Sequence, residues 1–358
     1  LVRGGIEILL FNLFRNVTYS QDNFSLVVFS DGEMDDEFKN AKINVLKLYR
    51  KSRIDFQLIK DLRKIIIEKK IDIIHSHQAM EAFYSYLATR GLNVKNVISH
   101  HGSIYPFKDK IVMKFLISKM DAHISVSNSY LNRLSVLEGF NTSQNFHVIY
   151  NGIDESKLDV TPSCVKKDLK IAESTFVLGM VGNFYNSGRD QYTICQSLPK
   201  LYEKFDNIEF IFVGGGSEQN SIYYKKCFDF CKNENLLSRT HFLGVRKDIE
   251  NILKSLDIFV YSSNHDTFGI AVVEAMLSGL PVVINDIPPM LEISDNGKYA
   301  KIYKTKNSES LFTAISELIE NKQQRLQLAQ KGKKWAMENF TISKHISAIH
   351  KLYFQLLN

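Results

Sequence analysis

The sequence predicts an α/β protein built from two doubly wound domains, and three observations lead there. A chain of 358 residues is longer than one ordinary domain. Short β-branched or aromatic runs alternate with longer helical patterns along most of it, which marks parallel strands joined by helices. Between Asp154 and Ser174 the alternation breaks, in a polar stretch that holds Pro162 and has no strong period.

The first half offers the strand "FSLVVFS", a helix around "DFQLIKDLRKIIIEKK", the strand "IDIIHSH", a helix near "EAFYSYLATRG" and the strand "NVISHHG". A Lys-rich helix, "AHISVS" and "HVIYNGID" complete it. After the break come "FVLGMVGNF", a helix through "DQYTICQSLPKLYEKF", "EFIFVGGG", a helix around "NSIYYKKCFDFCKNE", "THFLGV", the helix "DIENILKSL", "DIFVYSS", a helix from Phe268 to Gly279 and "PVVIND". The expected division is residues 1–160, residues 161–340, and a helix over 341–358 that crosses back to the first domain. Two such domains facing each other leave a cleft at the carboxyl ends of their strands, where open α/β sheets bind ligands.

With 44% hydrophobic and 23% charged residues the chain has the composition of a globular protein, not a disordered one. A net charge of +6 suits anionic ligands or an anionic membrane surface without demanding either, and nothing in the pattern calls for nucleic acid. Basic residues concentrate near 47–70 and 107–119, read either as solvated helix faces or as patches facing the inner membrane surface. Four scattered cysteines are too few for a disulfide scaffold; Cys227 and Cys231 sit one helical turn apart with no second ligand pair nearby in sequence, so reduced thiols are expected rather than zinc. No apolar run reaches the roughly 18 to 20 residues that span a bilayer, and no signal pattern is visible, so the expectation is a cytoplasmic protein, soluble or peripheral on the inner membrane face. The chain starts at Leu1 and meets Gly4 and Gly5 almost at once, as if a first strand were missing.

The stretch "SSNHDTFGIAVVEAMLSGLPVV" holds the sharpest signal. A helix apolar on nearly every side is a buried one, yet this one carries Glu274 in its middle, and an ionised carboxylate there costs several kcal/mol without a partner. Asp266 lies eight positions earlier, about 12 Å along a helix at about 1.5 Å per residue. Two carboxylates at that separation suit hydroxyls at opposite ends of a sugar nucleotide. The diphosphate between them would lie over the backbone amides of Thr267, Phe268, Gly269 and Ile270, where helix dipole and unpaired N–H groups favour anions. The plainer reading is that Asp266 caps the helix and Glu274 meets an unseen arginine.

These residues resemble the acidic pair of retaining GT-B glycosyltransferases of family 4. "GGIEILLFNLF", "IDIIHSH", "ISHHGS", "ISVSNSYLNRL", "HVIYNGID", "GMVGNF", "IFVGGG" and "FLGVRKDIENILKSLDIFVYSS" each resemble a block of that family, in order, over essentially the whole chain. The resemblance implies two Rossmann-like domains, an acceptor side first and a nucleotide-sugar side second. It implies Glu274 on the donor ribose, Asp266 on the donor sugar, and His101, in "SHHGS", facing that sugar. Gly4 and Gly5 match the glycine turn of the first domain, and Gly182, Gly215 and Gly216 those that admit the nucleotide, with Val245 or Arg246 beside the base. His77, like His75, would line the acceptor side.

Two departures stand out. The family usually has Glu where Asp266 stands, and an Arg and a Lys near the "GMVGNF" turn, where this chain has Asn183 and keeps Arg189 as the nearby cation. Arg189, with Arg246 or Lys247 as substitutes, would neutralise the diphosphate. No Asp-x-Asp occurs, so neither metal nor cofactor is expected. The implied reaction is sugar transfer from a nucleoside diphosphate sugar, with uridine favoured, to an acceptor hydroxyl with retention. A lipid-linked glycan of capsule, O-antigen or other surface polysaccharide assembly is the acceptor the family's roles imply. Rival readings are a phosphorylase or epimerase of the same fold, or a catalytically impaired nucleotide-sugar-binding module.

Overall fold

The computed structural model describes all residues except 1–3, 18–23, 53, 103–104, 159–164, 186 and 218–219. Pro162 and Cys164 therefore lie outside the described residues, as does Leu1. The chain forms two compact units, one of Leu1–Ile153 with Phe340–Asn358, the other of Asp154–Asn339.

The first unit runs α1 (Gly5–Asn16), β1 (Leu26–Val28), α2 (Asp35–Asn40), β2 (Val45–Lys47), α3 (Phe56–Glu68), β3 (Ile73–Ser76), α4 (Ala79–Thr89), β4 (Lys95–His100), α5 (Phe107–Leu116), β5 (Ala122–Ser125), α6 (Asn128–Val136) and β6 (Phe146–Val148). Its strands form a parallel pair, β1-β2, and a parallel sheet in the order β3-β4-β5-β6. β4 and β5 are buried almost throughout, although only Val97 and Ile98 of β4 and Ala122 and Ile124 of β5 are apolar. Gly4 is extended (φ −149°) and caps α1, which begins at Gly5, and its carbonyl accepts from the Ile8 amide at 3.1 Å.

The second unit opens with a short 3-10 turn, Glu155–Leu158, and α7 (Val165–Asp168). It continues through β7 (Phe176–Val181), α8 (Gln191–Lys204), β8 (Ile208–Val213), α9 (Ile222–Asn233), β9 (Thr240–Phe242), α10 (Ile249–Lys254), β10 (Ile258–Tyr261), α11 (Ile270–Leu277), β11 (Val282–Asn285), α12 (Pro288–Ile293) and β12 (Lys301–Tyr303). Helices α13 (Ser308–Glu320) and α14 (Lys322–Asn339) end it. Its parallel sheet has the order β12-β11-β10-β7-β8-β9, so the winding direction reverses between β7 and β10. Such a reversal opens a crevice at the carboxyl ends of the two strands, and the turns after β7 and β10 both end there. Cys195, Cys227 and Cys231 are free and buried, and α8 brings Cys195 to the other two thiols, a gathering not visible in the sequence. No group among the described residues is arranged to hold a metal.

The last helix, α15 (Ile342–Leu357), belongs to the first unit, where Ile349 and Leu352 pack with Val97, Ala122 and Ile124. Ile342 and Ile346 also meet Leu9 of α1. Gly152 of "NGID" makes this docking possible: a Cβ there would lie 2.6 Å from the His345 Cβ and 2.8 Å from the Ile342 Cα. No helix among the described residues is long and apolar enough to cross a membrane.

Candidate functional site

At the reversal of the second sheet, Arg189 and Asp266 meet. Asp266 Oδ2 accepts the Tyr261 hydroxyl at 2.7 Å and pairs with Arg189 Nη1 at 3.1 Å. Its other oxygen accepts the Thr267 amide at 2.7 Å and the Phe268 amide at 3.5 Å. Arg189 Nη1 also donates to Ser263 Oγ at 3.2 Å, and its guanidinium lies 5.3 Å from the centre of the Tyr261 ring. Burial works against the Arg189 charge, but Tyr261 and Asp266 outweigh it and hold the group above its ordinary range. Burial likewise lifts the Tyr261 phenol well above its ordinary value, so it stays a neutral donor.

The helix after this turn is shorter than expected. It starts at Ile270, one residue after Gly269, whose left-handed conformation (φ 105°) no ordinary side chain adopts cheaply, and ends at Leu277. The expected amide cradle shifts with it. Thr267 and Phe268 amides are covered by Asp266 itself, whereas those of Gly269, Ile270 and Ala271 meet no acceptor among the described residues. The Glu274 carboxylate, on a half-buried residue of the same helix, makes no hydrogen bond or ion pair among the described residues either. Burial pushes its carboxyl up to about 7, helped by the charge of Glu250 and opposed by Lys157. The unseen arginine partner is not there among the described residues.

The glycine turns of the second unit are closely packed. After β7, the Asn183 side-chain oxygen accepts the Gly215 amide at 2.9 Å, so the residue that replaces the expected cation ties the two turns together. A Cβ on Gly215 would meet the Tyr185 hydroxyl at 2.1 Å and the Val245 side chain at 2.9 Å. At Gly216 it would meet the Phe184 Cβ at 2.7 Å, and at Gly182 the Met180 methyl at 3.3 Å. The protein's own side chains lie close beside Gly215 and Gly216. Tyr185 was missed in the sequence because nothing local marks a tyrosine that folds over a glycine in the next turn. Arg246 forms a two-bonded pair with Asp248, at 2.8 and 2.7 Å, which commits the proposed substitute cation. Val245 is exposed.

In the first unit, parallel pairing of β3 and β4 sets His75, His77 and His101 side by side. His77 Nδ1 lies 3.0 Å from His101 Nε2, and the His75 and His77 rings stack at 4.5 Å. His75 is held by the Tyr353 hydroxyl at 2.6 Å and Ser99 Oγ at 2.8 Å. Burial lowers His77 to about 4 and depresses His75 and His101 well below their ordinary value, with neighbouring imidazoles adding to each, so all three rings are neutral at pH 7. The neighbouring His100 belongs to the core instead. A carbonyl can only accept, so His123 Nε2–H donates to Ile117 O at 3.0 Å. Its Nδ1 then accepts from His100 Nε2–H at 3.1 Å, and His100 Nδ1 accepts the Tyr105 hydroxyl at 2.6 Å. Tyr353 and His345 of α15 join the histidine group from the far end of the chain, beyond the reach of local sequence reasoning.

Known proteins show the same architecture and sequence pattern. The family model described as "Glycosyltransferase Family 4" matches residues 3–157, and that described as "Glycosyl transferases group 1" matches residues 165–335. The chain is 24% identical over 335 residues to the N-acetyl-alpha-D-glucosaminyl L-malate synthase of Bacillus anthracis, covering 89% of this chain and 84% of that protein. It is 25% identical over 324 residues to the UDP-Gal:alpha-D-GlcNAc-diphosphoundecaprenol alpha-1,3-galactosyltransferase of Escherichia coli, covering 85% and 82%. Among solved structures, a glycosyltransferase from Rickettsia africae superimposes with a TM-score of 0.88 at 18% identity over 100% of this chain and 96% of that one. Anabaena HepE in complex with UDP and glucose superimposes with a TM-score of 0.82 at 20% identity over 98% and 95%. With both halves matched and two Rossmann-like units in the GT-B arrangement of elements, the chain belongs to the group 1, family 4 glycosyltransferases.

Proposed function

We propose that this glycosyltransferase moves a hexose-type sugar from a UDP-sugar to a hydroxyl of a lipid-linked glycan, with retention at the anomeric carbon and without a metal. The observation that carries the donor reading is the start of α11: three amides without acceptors among the described residues, beside the Arg189 cation and on the helix that bears the unpartnered Glu274. The diphosphate lies on the amides of Gly269, Ile270 and Ala271, where the helix dipole and N–H groups favour developing negative charge. Glu274 accepts from the ribose hydroxyls, which favours the ionised carboxylate. Asp266, locked by Tyr261 and Arg189, is no free nucleophile, which supports front-face attack in which the leaving phosphate oxygen takes the acceptor proton. His101 contacts the transferred sugar as a neutral imidazole, and His77 lies toward the acceptor.

The UDP donor is supported by the name of the E. coli relative and by the UDP complex of HepE. The lipid-linked acceptor is supported by that relative and by a Campylobacter jejuni N-acetylgalactosaminyltransferase, 26% identical over 302 residues, whose named acceptor is a diphospho-undecaprenol. Place in surface polysaccharide assembly, a peripheral inner-membrane position included, is part of the same proposal. The test is transfer from radiolabelled UDP-sugars to an undecaprenyl-diphosphate glycan in the presence of a chelator. Transfer that survives the chelator and vanishes in Glu274→Ala supports it; full activity of Glu274→Ala, or donor binding without turnover on any acceptor, contradicts it.

A further inference from the structure

Helix α15 does more for the first unit than cover its sheet. Side chains alternate along a strand, so Ile73, His75 and His77 share one face at β3, as Val97, Ser99 and His101 do at β4. Tyr353 of α15 packs with Ile349 and Leu352 in the cluster that holds Val97 and Ile73. A phenylalanine would pack there as well, yet this residue carries a hydroxyl, 2.6 Å from His75 Nδ1. The hydroxyl has no other hydrogen-bond partner among the described residues.

The direction of that bond fixes the histidine. A phenol is a stronger donor than a serine hydroxyl, and a neutral imidazole nitrogen a stronger acceptor than a phenol oxygen, so Tyr353 O–H donates and His75 Nδ1 accepts. The ring proton is thereby left on Nε2, from which His75 donates to Ser99 Oγ at 2.8 Å. Held at both nitrogens, the His75 ring can neither turn nor flip. Its face is the platform for the His77 ring, 4.5 Å away with the planes 23° apart. His77 Nδ1 in turn lies 3.0 Å from His101 Nε2. Burial keeps all three rings neutral, so no charge repulsion opens the stack.

We propose that Tyr353 is a positioning residue for sugar transfer: through His75 it sets the plane of His77 and, with it, the ring of His101 that meets the transferred sugar. The inference rests on the sugar contact of His101 proposed above. Loss of the hydroxyl would misplace a group at the site rather than remove one, which slows the reaction without weakening the donor.

Tyr353→Phe tests this, because it keeps the aromatic packing and removes only the donor. Nitrogen NMR of the imidazoles at pH 7 reads the ring protons of the whole chain without any substrate. His75 is expected to be protonated at Nε2 in the unaltered protein and to become a mixture of tautomers in Tyr353→Phe. In transfer from the UDP-sugar, kcat is expected to fall about tenfold in Tyr353→Phe, with KM for the donor within about twofold and the urea midpoint unchanged. His75→Phe should lose as much, and the double variant no more than the larger single loss, because the hydroxyl acts only through that ring. His75 protonated at Nδ1 in the unaltered protein, an unchanged kcat in Tyr353→Phe, losses that add in the double variant, or a loss of kcat matched by a lower urea midpoint each overturn it. His101→Ala keeps the two readings apart: undiminished transfer there removes the proposed sugar contact, whereas transfer lost there but intact in Tyr353→Phe removes the role of Tyr353 alone.

Discussion

The Glu274 carboxyl titrates at about 7 because it is withdrawn from water on α11 and feels Glu250 more than Lys157. Its pKa is raised on folding from 4.5, so its contribution to stability is intact below that value and is lost as pH rises through about 7. Glu274→Gln is therefore expected to match the unaltered protein near pH 4 and to be more stable by roughly 3 kcal/mol at alkaline pH, read by urea unfolding at both ends. Function runs the other way: ribose hydroxyls stabilise the ionised form, so donor affinity rises with pH up to about 7 and levels off above it, and Glu274→Gln flattens that profile. Asp266 is held more firmly than a cap needs. Asp266→Ala strands both the Tyr261 hydroxyl and the half-buried Arg189, and should cost the second unit roughly 2 to 3 kcal/mol in the same unfolding experiment.

Among the elements, α15 depends on one small residue outside it. Gly152→Ala places a methyl against the Ile342 backbone, which cannot rotate away, so the start of α15 must move. The expected loss is roughly 2 kcal/mol, with faster hydrogen exchange at Ile346 and Ile349; an unchanged exchange pattern would contradict this packing role. The strands β7, β8 and β10 were legible because burial on both faces writes them as long apolar runs, whereas β4 and β5 show only short apolar stretches among buried serines and histidines. β2 was not, since three residues, "VLK", half-buried and exposed in turn, carry no readable period. α11 was placed by its apolar stretch but started two residues early, because Asp266 draws the Thr267 and Phe268 amides out of the helix. At the site, Asp266, Glu274 and Arg189 were legible as residue types on strand-to-helix turns. That Arg189 holds Asp266, and that Tyr353 holds His75, was not, because both contacts join segments far apart in sequence.

For the molecule as a whole, the neutral histidines make the first unit the acid-sensitive one. His77 and His123 each titrate at about 4 instead of 6.5, and His75, His100 and His101 are also depressed. A base whose folded pKa is lowered lends stability above 6.5 and loses it as pH falls toward the folded value. Hydrogen exchange should therefore quicken in β4 and β5 between pH 6.5 and 4 well before it does in β7 and β8. Equal acceleration in both units would contradict the buried neutral rings. The donor site of the second unit is read by calorimetric titration of UDP, with other nucleoside diphosphates as controls. UDP is expected to bind, with an affinity that weakens more than about tenfold in Arg189→Ala and falls with pH below 7 in the unaltered protein but not in Glu274→Gln. UDP binding that is indifferent to both substitutions would contradict it.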